Sequence, residues 1–342
     1  MKNTQVVLAQ RPVGIPRPED FRVVESAVRE PQEGEFLVEN LYLSLDAGFR
    51  NWMNEDSGDE VLPAMPLDHP VMGLTLGRVL RSRHPEYAPG ELLMARLRWE
   101  EYSTTAGDDF LVRLADPGPY PLHYHLGVLG DTGMSAYFGL QDIGRPRPGE
   151  TVLVSAAGGA VGSVAGQIAR LMGARTVGFV GSEEKAERIC RELGYDAAID
   201  HRAHDVERRL ALACPEGIDC YFDSVGGPLL EKVLAHINPG ARIAFCGAVT
   251  AYNAVEPIPG PANLFELVLK SARLEGFMTH LRVDRYPEAR RALCGWLDEG
   301  RLRSIETIHE GVAEAGVGFC HLFEGRNFGK SIVRVRRDAG LQ

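Results

Sequence analysis

The chain has 342 residues, a formal net charge of −10, 44% apolar residues and 25% charged residues. This length suffices for two domains with separate cores, and the composition is that of an ordinary globular protein. The acidic balance argues against a nucleic-acid surface, because phosphate backbones are bound by clustered cations. No run of about 18 apolar residues predicts a membrane span. The first residues carry no apolar signal segment, so a cytoplasmic protein is expected.

The cysteines and histidines form no pattern typical of a metal site. No C-x-x-C pair occurs, which argues against a zinc ribbon and a thioredoxin-type redox site. His123 and His125 could supply two ligands, but loop histidines are the simpler interpretation, and we predict no metal. The cysteines are expected to be reduced and mostly buried. They are Cys190, Cys214, Cys220, Cys246, Cys294 and Cys320.

Short apolar runs separated by turn residues occupy the first part of the chain, which is typical of a mostly β domain. Strands are expected over residues 36–43, 74–80 and 92–97. Prolines at 117, 119 and 121 interrupt regular structure and predict a domain boundary near them.

From about residue 127 the pattern changes to strands that alternate with helices. This alternation predicts an α/β fold with a doubly wound parallel sheet. A last strand over 331–335 is expected to return to the first domain. The expected strands are 152–154, 176–180, 197–199, 218–222 and 241–246. The expected helices are 132–141, a segment ending near Gly173, 183–193, 206–213 and 229–236.

The stretch 151–185 is the most informative part of the sequence. A buried strand is followed by the small-residue turn AAGGAVG at 156–162, then by an amphipathic helix and a second strand. In this context a glycine-rich turn predicts dinucleotide binding. Small residues let the backbone approach a pyrophosphate, and the N-terminus of the helix offers free N–H groups.

The end of the second strand indicates which dinucleotide is bound. NAD-binding folds usually carry Asp or Glu there, which holds the ribose hydroxyls. This chain has Gly181 and Ser182, and Lys185 follows within one helical turn. A cation and hydroxyl donors favour a 2′-phosphate, so NADP is predicted. Glu183 and Glu184 are the counter-indication, although acidic residues also stabilise a first helical turn. Lys185 could equally be a solvated helix residue.

Ligands of such sheets bind beyond the carboxyl ends of the strands. Three segments therefore share one rim of the predicted sheet: the turn at 158–162, Ser224, and residues 246–252.

Several motifs in the same order resemble a known family. They are NLYLSLD at 40–46, GMSAYFGL at 133–140, SAAGGAVGS at 155–163, CGAVTAYN at 246–253 and EGRNFGK at 324–330. The chain resembles the zinc-independent medium-chain dehydrogenase/reductases. The similarity is to the branch of the leukotriene B4 dehydrogenase/prostaglandin reductase and of the alkenal and curcumin double-bond reductases.

The resemblance implies a split first domain, residues 1–125 and 300–342, folded as a partly open, GroES-like β-barrel. A Rossmann dinucleotide-binding domain would fill residues 126–299. The active site would lie in the cleft between the domains, and relatives are often homodimers through the dinucleotide domain.

The resemblance also implies NADPH as cofactor and a set of residues that bind it. Two positions depart from the family pattern. The family usually has Tyr where this chain has His201, and Asn where it has Ser224. Asn327 would close over the cofactor. The pyrophosphate would lie against Gly159, Ala160, Val161 and Gly162, and the 2′-phosphate against Lys185 with Ser182 and His201. The nicotinamide side would be lined by Ser224, Cys246, Gly247, Ala248, Val249, Tyr252, Phe277, Met278 and Thr279.

The family chemistry implies a role for Tyr252. Without zinc ligands, hydride transfer to an isolated carbonyl would lack a Lewis acid, whereas transfer to the β-carbon of an enone spreads charge into an enolate. Such a reaction needs a donor at the carbonyl oxygen, and Tyr252 is the predicted donor. Packing against the nicotinamide ribose is the alternative role for this ring.

The substrate pocket is expected to draw on the first domain. The family's frequent Asp-Pro-Tyr-Met-Arg is DAGFR at 46–50 here, so Gly48 replaces a tyrosine and would open space. The predicted lining residues are Gly48, Arg50, Trp52 and Trp99, with a core role equally open for the two tryptophans. A small, hydrophobic, unsaturated carbonyl substrate is expected.

Other functions remain open from sequence alone. Hydride addition to a polyunsaturated ketone could start a reductive cyclisation. A quinone reductase is another enzymatic possibility. A non-catalytic NADPH-binding sensor or structural protein is the alternative from a different class.

Overall fold

The computed structural model describes residues 1–57 and 62–335. The chain divides into two compact units, of which the first comprises residues 1–126, 307–327 and 331 onward, and the second 127–306 and 328–330. The predicted first domain runs to residue 342, so its last seven residues lie outside the described residues. Within the described part of the chain, every helix is too short or too polar to cross a bilayer.

The strands follow one another in two groups along the chain. They are β1 (Lys2–Leu8), β2 (Phe21–Ala27), β3 (Phe36–Ser44), β4 (Met72–Ser82), β5 (Leu92–Arg98), β6 (Tyr102–Thr105), β7 (Leu111–Arg113), β8 (Thr151–Val154), β9 (Arg175–Val180), β10 (Ala197–Asp200), β11 (Ile218–Asp223), β12 (Ile237–Phe245), β13 (Arg273–Gly276), β14 (Glu306–Glu310) and β15 (Lys330–Arg334).

Most helices belong to the second unit. They are α1 (Asp131–Phe138), α2 (Ala160–Leu171), α3 (Glu183–Leu193), α4 (Val206–Ala213), α5 (Gly227–Leu234), α6 (Val249–Tyr252), α7 (Glu266–Leu269), α8 (Tyr286–Asp298) and α9 (Ala315–Glu324). Short 3₁₀ turns cover Pro18–Asp20, Ala47–Met53, Leu122–Leu126, Thr279–Arg285 and Val312–Glu314, and a π-helical turn covers Gly139–Gly144.

The second unit is built on a six-stranded parallel sheet, as the sequence predicts. Its strand order is β10-β9-β8-β11-β12-β13. This is the 3-2-1-4-5-6 order of a doubly wound dinucleotide fold, whose switch point lies between β8 and β11. All four residues of β8 are buried, as expected for a strand covered on both faces. The core of the unit combines apolar residues from the strands with residues of α4 and α5.

Two predicted elements of this unit have different bounds in the structure. The strand predicted over 241–246 begins earlier, at Ile237, and includes Asn238, Pro239 and Gly240. These turn-forming residues hide the start of the strand in the sequence, and the ladder with β11 is irregular at this point. The helix predicted over 132–141 ends at Phe138 and continues as the π-helical turn.

The first unit is mostly antiparallel sheet. Its strand order is β14-β15-β3-β4-β5-β7, with β6 also paired to β3 and a separate β1-β2 ribbon. Strand β15 pairs antiparallel with β3, Ile332 opposite Ser44, which confirms the predicted return of the last strand to the first part of the chain. Trp99 lies at the centre of one core cluster, between the rings of Phe21 and Phe319.

Helix α2 contacts its surroundings so closely that only glycine fits at position 166. A Cβ atom there would overlap the ring of Tyr195. The Tyr195 hydroxyl donates a 2.6 Å hydrogen bond to the carbonyl oxygen of Gly162, one turn earlier in α2. Tyr195 is itself buried, so the ring has little freedom to move aside.

We expect Gly166→Ala to lower the free energy of unfolding by about 1–3 kcal/mol, the usual cost of overpacking. Urea denaturation measures this change. The matched control is Gly295→Ala in α8, where a Cβ atom meets nothing within 4 Å. Because Ala is the better helix former, this control should gain up to about 1 kcal/mol. Equal stability of Gly166→Ala and the wild type would contradict the proposed close contact.

Candidate cofactor and active site

The glycine-rich turn after β8 leads directly into α2. Gly159 is the N-cap of this helix and provides no side-chain cap. The N–H groups of Ala160, Val161 and Gly162 belong to the first turn, where the helix offers them no acceptor. A Cβ atom at Gly162 would overlap the carbonyl oxygen of Ala156. The turn therefore leaves three N–H groups without a helical acceptor at the positive end of the helix, which fits a pyrophosphate.

Residues 328–330 of the second unit lie against this turn. The Gly329 N–H donates to the Gly158 carbonyl at 2.9 Å, and a Cβ at Gly158 would be 3.6 Å from the Phe328 ring. The Arg188 guanidinium lies 3.7 Å from the centre of that ring. This arrangement could not be predicted from the sequence, because its partners are far apart in the chain and carry no shared motif.

The predicted 2′-phosphate residues come together at the ends of β9 and β10. Ser182 is the N-cap of α3, and its hydroxyl oxygen accepts the Lys185 N–H at 3.2 Å. Burial and the charges of Arg202 and Arg188 lower the pKa of Lys185. Partial desolvation and the Arg202 charge likewise lower the pKa of His201, which follows β10. Arg202 and Arg188 thus lie near enough to Lys185 to act on its charge, as does the carboxylate of Glu184.

The rim between β11 and β12 is organised by the buried carboxylate of Asp223. Its Oδ1 accepts hydrogen bonds from the Ser155 hydroxyl and the Tyr221 hydroxyl, each at 2.9 Å. It also accepts the N–H of Val225 at 2.9 Å and of Gly226 at 3.1 Å. Burial raises the pKa of Asp223, and these hydrogen bonds oppose the rise.

The segment 246–252 is fastened to this rim by backbone hydrogen bonds. The Cys246 N–H donates to the Asp223 carbonyl at 2.7 Å, and the Val249 N–H donates to the Ser224 carbonyl at 3.1 Å. Burial raises the pKa of the Cys246 thiol to about 12, so it remains neutral. The Ser224 hydroxyl is buried and has no hydrogen-bond partner of normal geometry among the described residues. An unsatisfied hydroxyl on this rim fits a bound polar group.

Tyr252 ends the short helix α6. Its hydroxyl oxygen accepts the Ala248 N–H at 3.2 Å, and a Cβ at Gly247 would lie 2.9 Å from the same oxygen. Burial raises the pKa of Tyr252, so the hydroxyl is protonated at neutral pH. Because the oxygen already accepts the Ala248 N–H, the hydroxyl proton stays available for donation to another group.

The remaining predicted cofactor residues differ in their surroundings. Phe277 packs edge-on against Phe222, and Met278 is exposed. Thr279 is buried, and its hydroxyl donates to the carboxylate of Asp131. Asn327 is buried and belongs to the first unit.

The predicted substrate residues all belong to the first unit. Gly48 has open space at its Cβ position. Arg50 is buried, and its guanidinium donates to Asn54 Oδ1 at 2.7 Å and to the Pro12 carbonyl at 2.8 Å. Trp52 is half-buried beside Phe49. Trp99 is enclosed in the core cluster described above. It therefore has a core role, which was one of the two roles predicted for it. Lining of a substrate pocket by these residues stays a prediction.

Among residues 1–57 and 62–335, His, Cys, Asp and Glu form no group of three or more that could hold a metal ion.

We expect Gly247→Ala to displace the Tyr252 hydroxyl, because the new methyl group would lie 2.9 Å from its oxygen. Loss of the Ala248 hydrogen bond, which lowers the pKa of Tyr252, should raise this pKa further above its usual range, and a spectrophotometric titration of the tyrosines measures that rise. The control is Gly260→Ala, whose Cβ meets nothing within 4 Å. Unchanged tyrosine spectra in Gly247→Ala would show that the contact is absent.

Two family models match the chain. One, described as the N-terminal domain of oxidoreductase, matches residues 4–112, and the other, described as zinc-binding dehydrogenase, matches residues 160–293. The NADPH-dependent curcumin reductase of Escherichia coli (strain K12) is 41% identical over 342 residues, which is 98% of each chain. The 2-alkenal reductase (NADP(+)-dependent) of Nicotiana tabacum is 35% identical over 99% of each chain.

A solved structure has the same fold over nearly its whole length. The structure of CurA in complex with NADPH from Vibrio vulnificus superposes with a TM-score of 0.90 at 37% identity, covering 98% of this chain and 99% of that one. Sequence identity at this level over nearly whole chains shows that this chain and these relatives belong to one family. The chain belongs to the zinc-independent medium-chain dehydrogenase/reductases, in the branch of the prostaglandin, alkenal and curcumin double-bond reductases.

Proposed function

We propose that the protein is an NADPH-dependent double-bond reductase that delivers hydride to the β-carbon of an α,β-unsaturated ketone or aldehyde. The observation that carries this proposal is the position of Tyr252. Its protonated hydroxyl lies at the carboxyl ends of the parallel strands, as the glycine-rich turn does, and its proton is free for donation. Two relatives of this chain, the curcumin reductase and the 2-alkenal reductase, have names that describe reductions of this class.

The cofactor fits residues of the second unit. The N–H groups of Ala160, Val161 and Gly162 would bind the pyrophosphate, and Lys185 with Ser182 and His201 would face the 2′-phosphate. Ser224, residues 246–249 and residues 277–279 would line the nicotinamide side. NADPH, when bound, supplies the hydride.

Tyr252 would stabilise the charge that the substrate develops. When hydride adds to the β-carbon, the electron pair of the double bond moves toward the carbonyl oxygen, which becomes an enolate oxygen. The Tyr252 hydroxyl donates a hydrogen bond or its proton to that oxygen. The Ala248 N–H, which Tyr252 Oη accepts, would stabilise the phenolate that remains. The α-carbon then takes a proton from solvent, and any proton on the enol oxygen returns to Tyr252 as the carbonyl reforms, so one hydride and one proton are added in total.

The direct test is the loss of reduced-nicotinamide absorbance with a panel of enones, quinones and simple ketones. We expect turnover of enones with NADPH and little with NADH or simple ketones. Tyr252→Phe should lower kcat about 10²–10⁴-fold, the usual contribution of a positioned acid, with little change in NADPH affinity. Tyr87→Phe is the matched control, because this tyrosine belongs to the first unit and its ring packs on Phe36.

The panel also separates the competing functions. Turnover confined to quinones would favour a quinone reductase. A cyclised product of a polyunsaturated ketone, seen by mass spectrometry and NMR, would favour reductive cyclisation. NADPH binding without turnover of any compound would favour a sensor or structural protein.

We also propose that the protein forms a homodimer through its second unit. Strand β13 is the last strand of the parallel sheet and pairs with β12 alone in that sheet. Large apolar side chains are exposed on both sides of it in the chain, and such a surface is typical of an interface. They include Leu264 (47% exposed), Phe265 (65%), Val268 (66%), Leu269 (63%) and Leu281 (75%).

We expect the wild type to elute as a dimer in size-exclusion chromatography with light scattering. The double variant Phe265→Asp/Leu281→Asp should shift it toward the monomer, because charges would be buried in the interface. The control is Leu212→Asp on α4, which is 69% exposed and lies elsewhere. A monomeric wild type, or a dimer that survives the double variant, would refute this interface.

A further inference from the structure

We infer that Arg202 is the residue that selects for the 2′-phosphate of the cofactor, acting together with Lys185. This inference rests on the proposed use of NADPH and adds a residue that neither the family resemblance nor the sequence motifs point to. It is argued from the geometry at the ends of β9 and β10.

The parallel pairing of two strands brings Arg202 to the ribose end of the site. Asp200, the last residue of β10, is paired with Val180, the last residue of β9. The His201 N–H donates to the Val180 carbonyl at 2.9 Å, so the chain after β10 stays beside the end of β9. The Arg202 N–H donates to Asp200 Oδ1 at 2.9 Å, which fixes the turn.

The Arg202 guanidinium covers the position that decides cofactor choice. A Cβ atom at Gly181 would lie 3.5 Å from Nη2, 3.6 Å from Cζ and 3.7 Å from Nε of Arg202. These nearly equal distances mean that the face of the guanidinium is turned toward Gly181. In NAD-binding folds a carboxylate near this strand end holds the ribose hydroxyls. Here a cation lies over a residue that has no side chain.

The charges around Arg202 leave it without an internal counter-ion. Across the described residues its guanidinium forms no ion pair within 4.0 Å and no side-chain hydrogen bond. Of the nearby acids, Asp200 accepts the backbone N–H, and Glu183 is paired with Arg209. Glu184 is exposed and acts on Lys185. Arg188, by contrast, is paired with Glu192 at 3.0 Å and stacked on Phe328.

Two cations that repel each other and form no ion pair within 4.0 Å among the described residues are suited to a dianion. The charges of Arg202 and Lys185 repel each other, which helps to lower the pKa of Lys185. A phosphate monoester carries close to two negative charges at neutral pH and removes this repulsion when it binds. The planar guanidinium can contact two phosphate oxygens at once, while the Lys185 ammonium contacts a third as a point charge.

The test measures binding and needs no turnover. Dissociation constants of NADPH and NADH, and of 2′,5′-ADP and 5′-AMP, are measured by isothermal titration calorimetry. Each pair differs only in the 2′-phosphate. We expect Arg202→Gln to weaken NADPH and 2′,5′-ADP by about ten- to hundredfold, the value of a charge-assisted hydrogen bond. NADH and 5′-AMP should bind as before, and Arg202→Lys should restore part of the loss.

The matched control is Arg208→Gln, which removes the same charge from an exposed position on α4. It should leave all four affinities unchanged. An unchanged ratio of NADH to NADPH dissociation constants in Arg202→Gln would overturn the inference while leaving the proposed function intact. A wild type that binds NADH as tightly as NADPH would instead refute the proposed cofactor.

Discussion

The carboxylate of Asp223 is the interaction on which the candidate site depends. It is fully buried, and its oxygens accept hydrogen bonds from two hydroxyl groups and two backbone N–H groups that lie at the ends of β8 and β11. Its own carbonyl oxygen accepts the N–H of Cys246 after β12. One residue thus links the carboxyl ends of three neighbouring strands. Removing its partners would leave a buried charge unpaired, which is far costlier than any single bond in the network is favourable.

On the other side of the switch point, the backbone is positioned by close contacts that leave no room for side chains. At Gly162, Gly166 and Gly178 a methyl group would collide with Ala156, Tyr195 and Ala157 respectively. Helix α2 therefore packs closely on the turn after β8 and on Tyr195, and strand β9 packs closely on the same turn. The site therefore combines a region fixed by hydrogen bonds with a region fixed by the absence of side chains. The hydrogen bonds and the close contacts both position backbone atoms, so the exposed side chains around the site have little effect on either.

Local patterns were enough to predict the parallel sheet, the glycine-rich turn and the approximate bounds of most elements that were predicted. Buried strands such as 152–154 and the amphipathic spacing of α2 are properties of neighbouring residues. The start of β12 was missed because Asn238, Pro239 and Gly240 favour turns, and the ladder with β11 passes over them, pairing Ile237 and then Arg242.

Contacts between distant segments could not be predicted in this way. Arg202 meets Gly181 only because β9 and β10 end side by side, and Arg188 meets Phe328 only because the chain returns to the second unit. Neither pair leaves a periodic signal. The roles of Trp52 and Trp99 were undecided for the same reason, since an aromatic residue in a core and one in a pocket have the same local sequence.

The return of residues 328–330 has a consequence for how the protein is made. Gly329 donates to Gly158, and Phe328 covers the same turn, yet these residues are synthesised long after the turn itself. Neither unit can complete its contacts while the ribosome is still adding the segments between them, because β15 is also needed beside β3. Such late, long-range closure slows folding and leaves a strand edge open during synthesis. In nascent chains the side of β3 that pairs with β15 therefore has no partner strand until β15 has been synthesised.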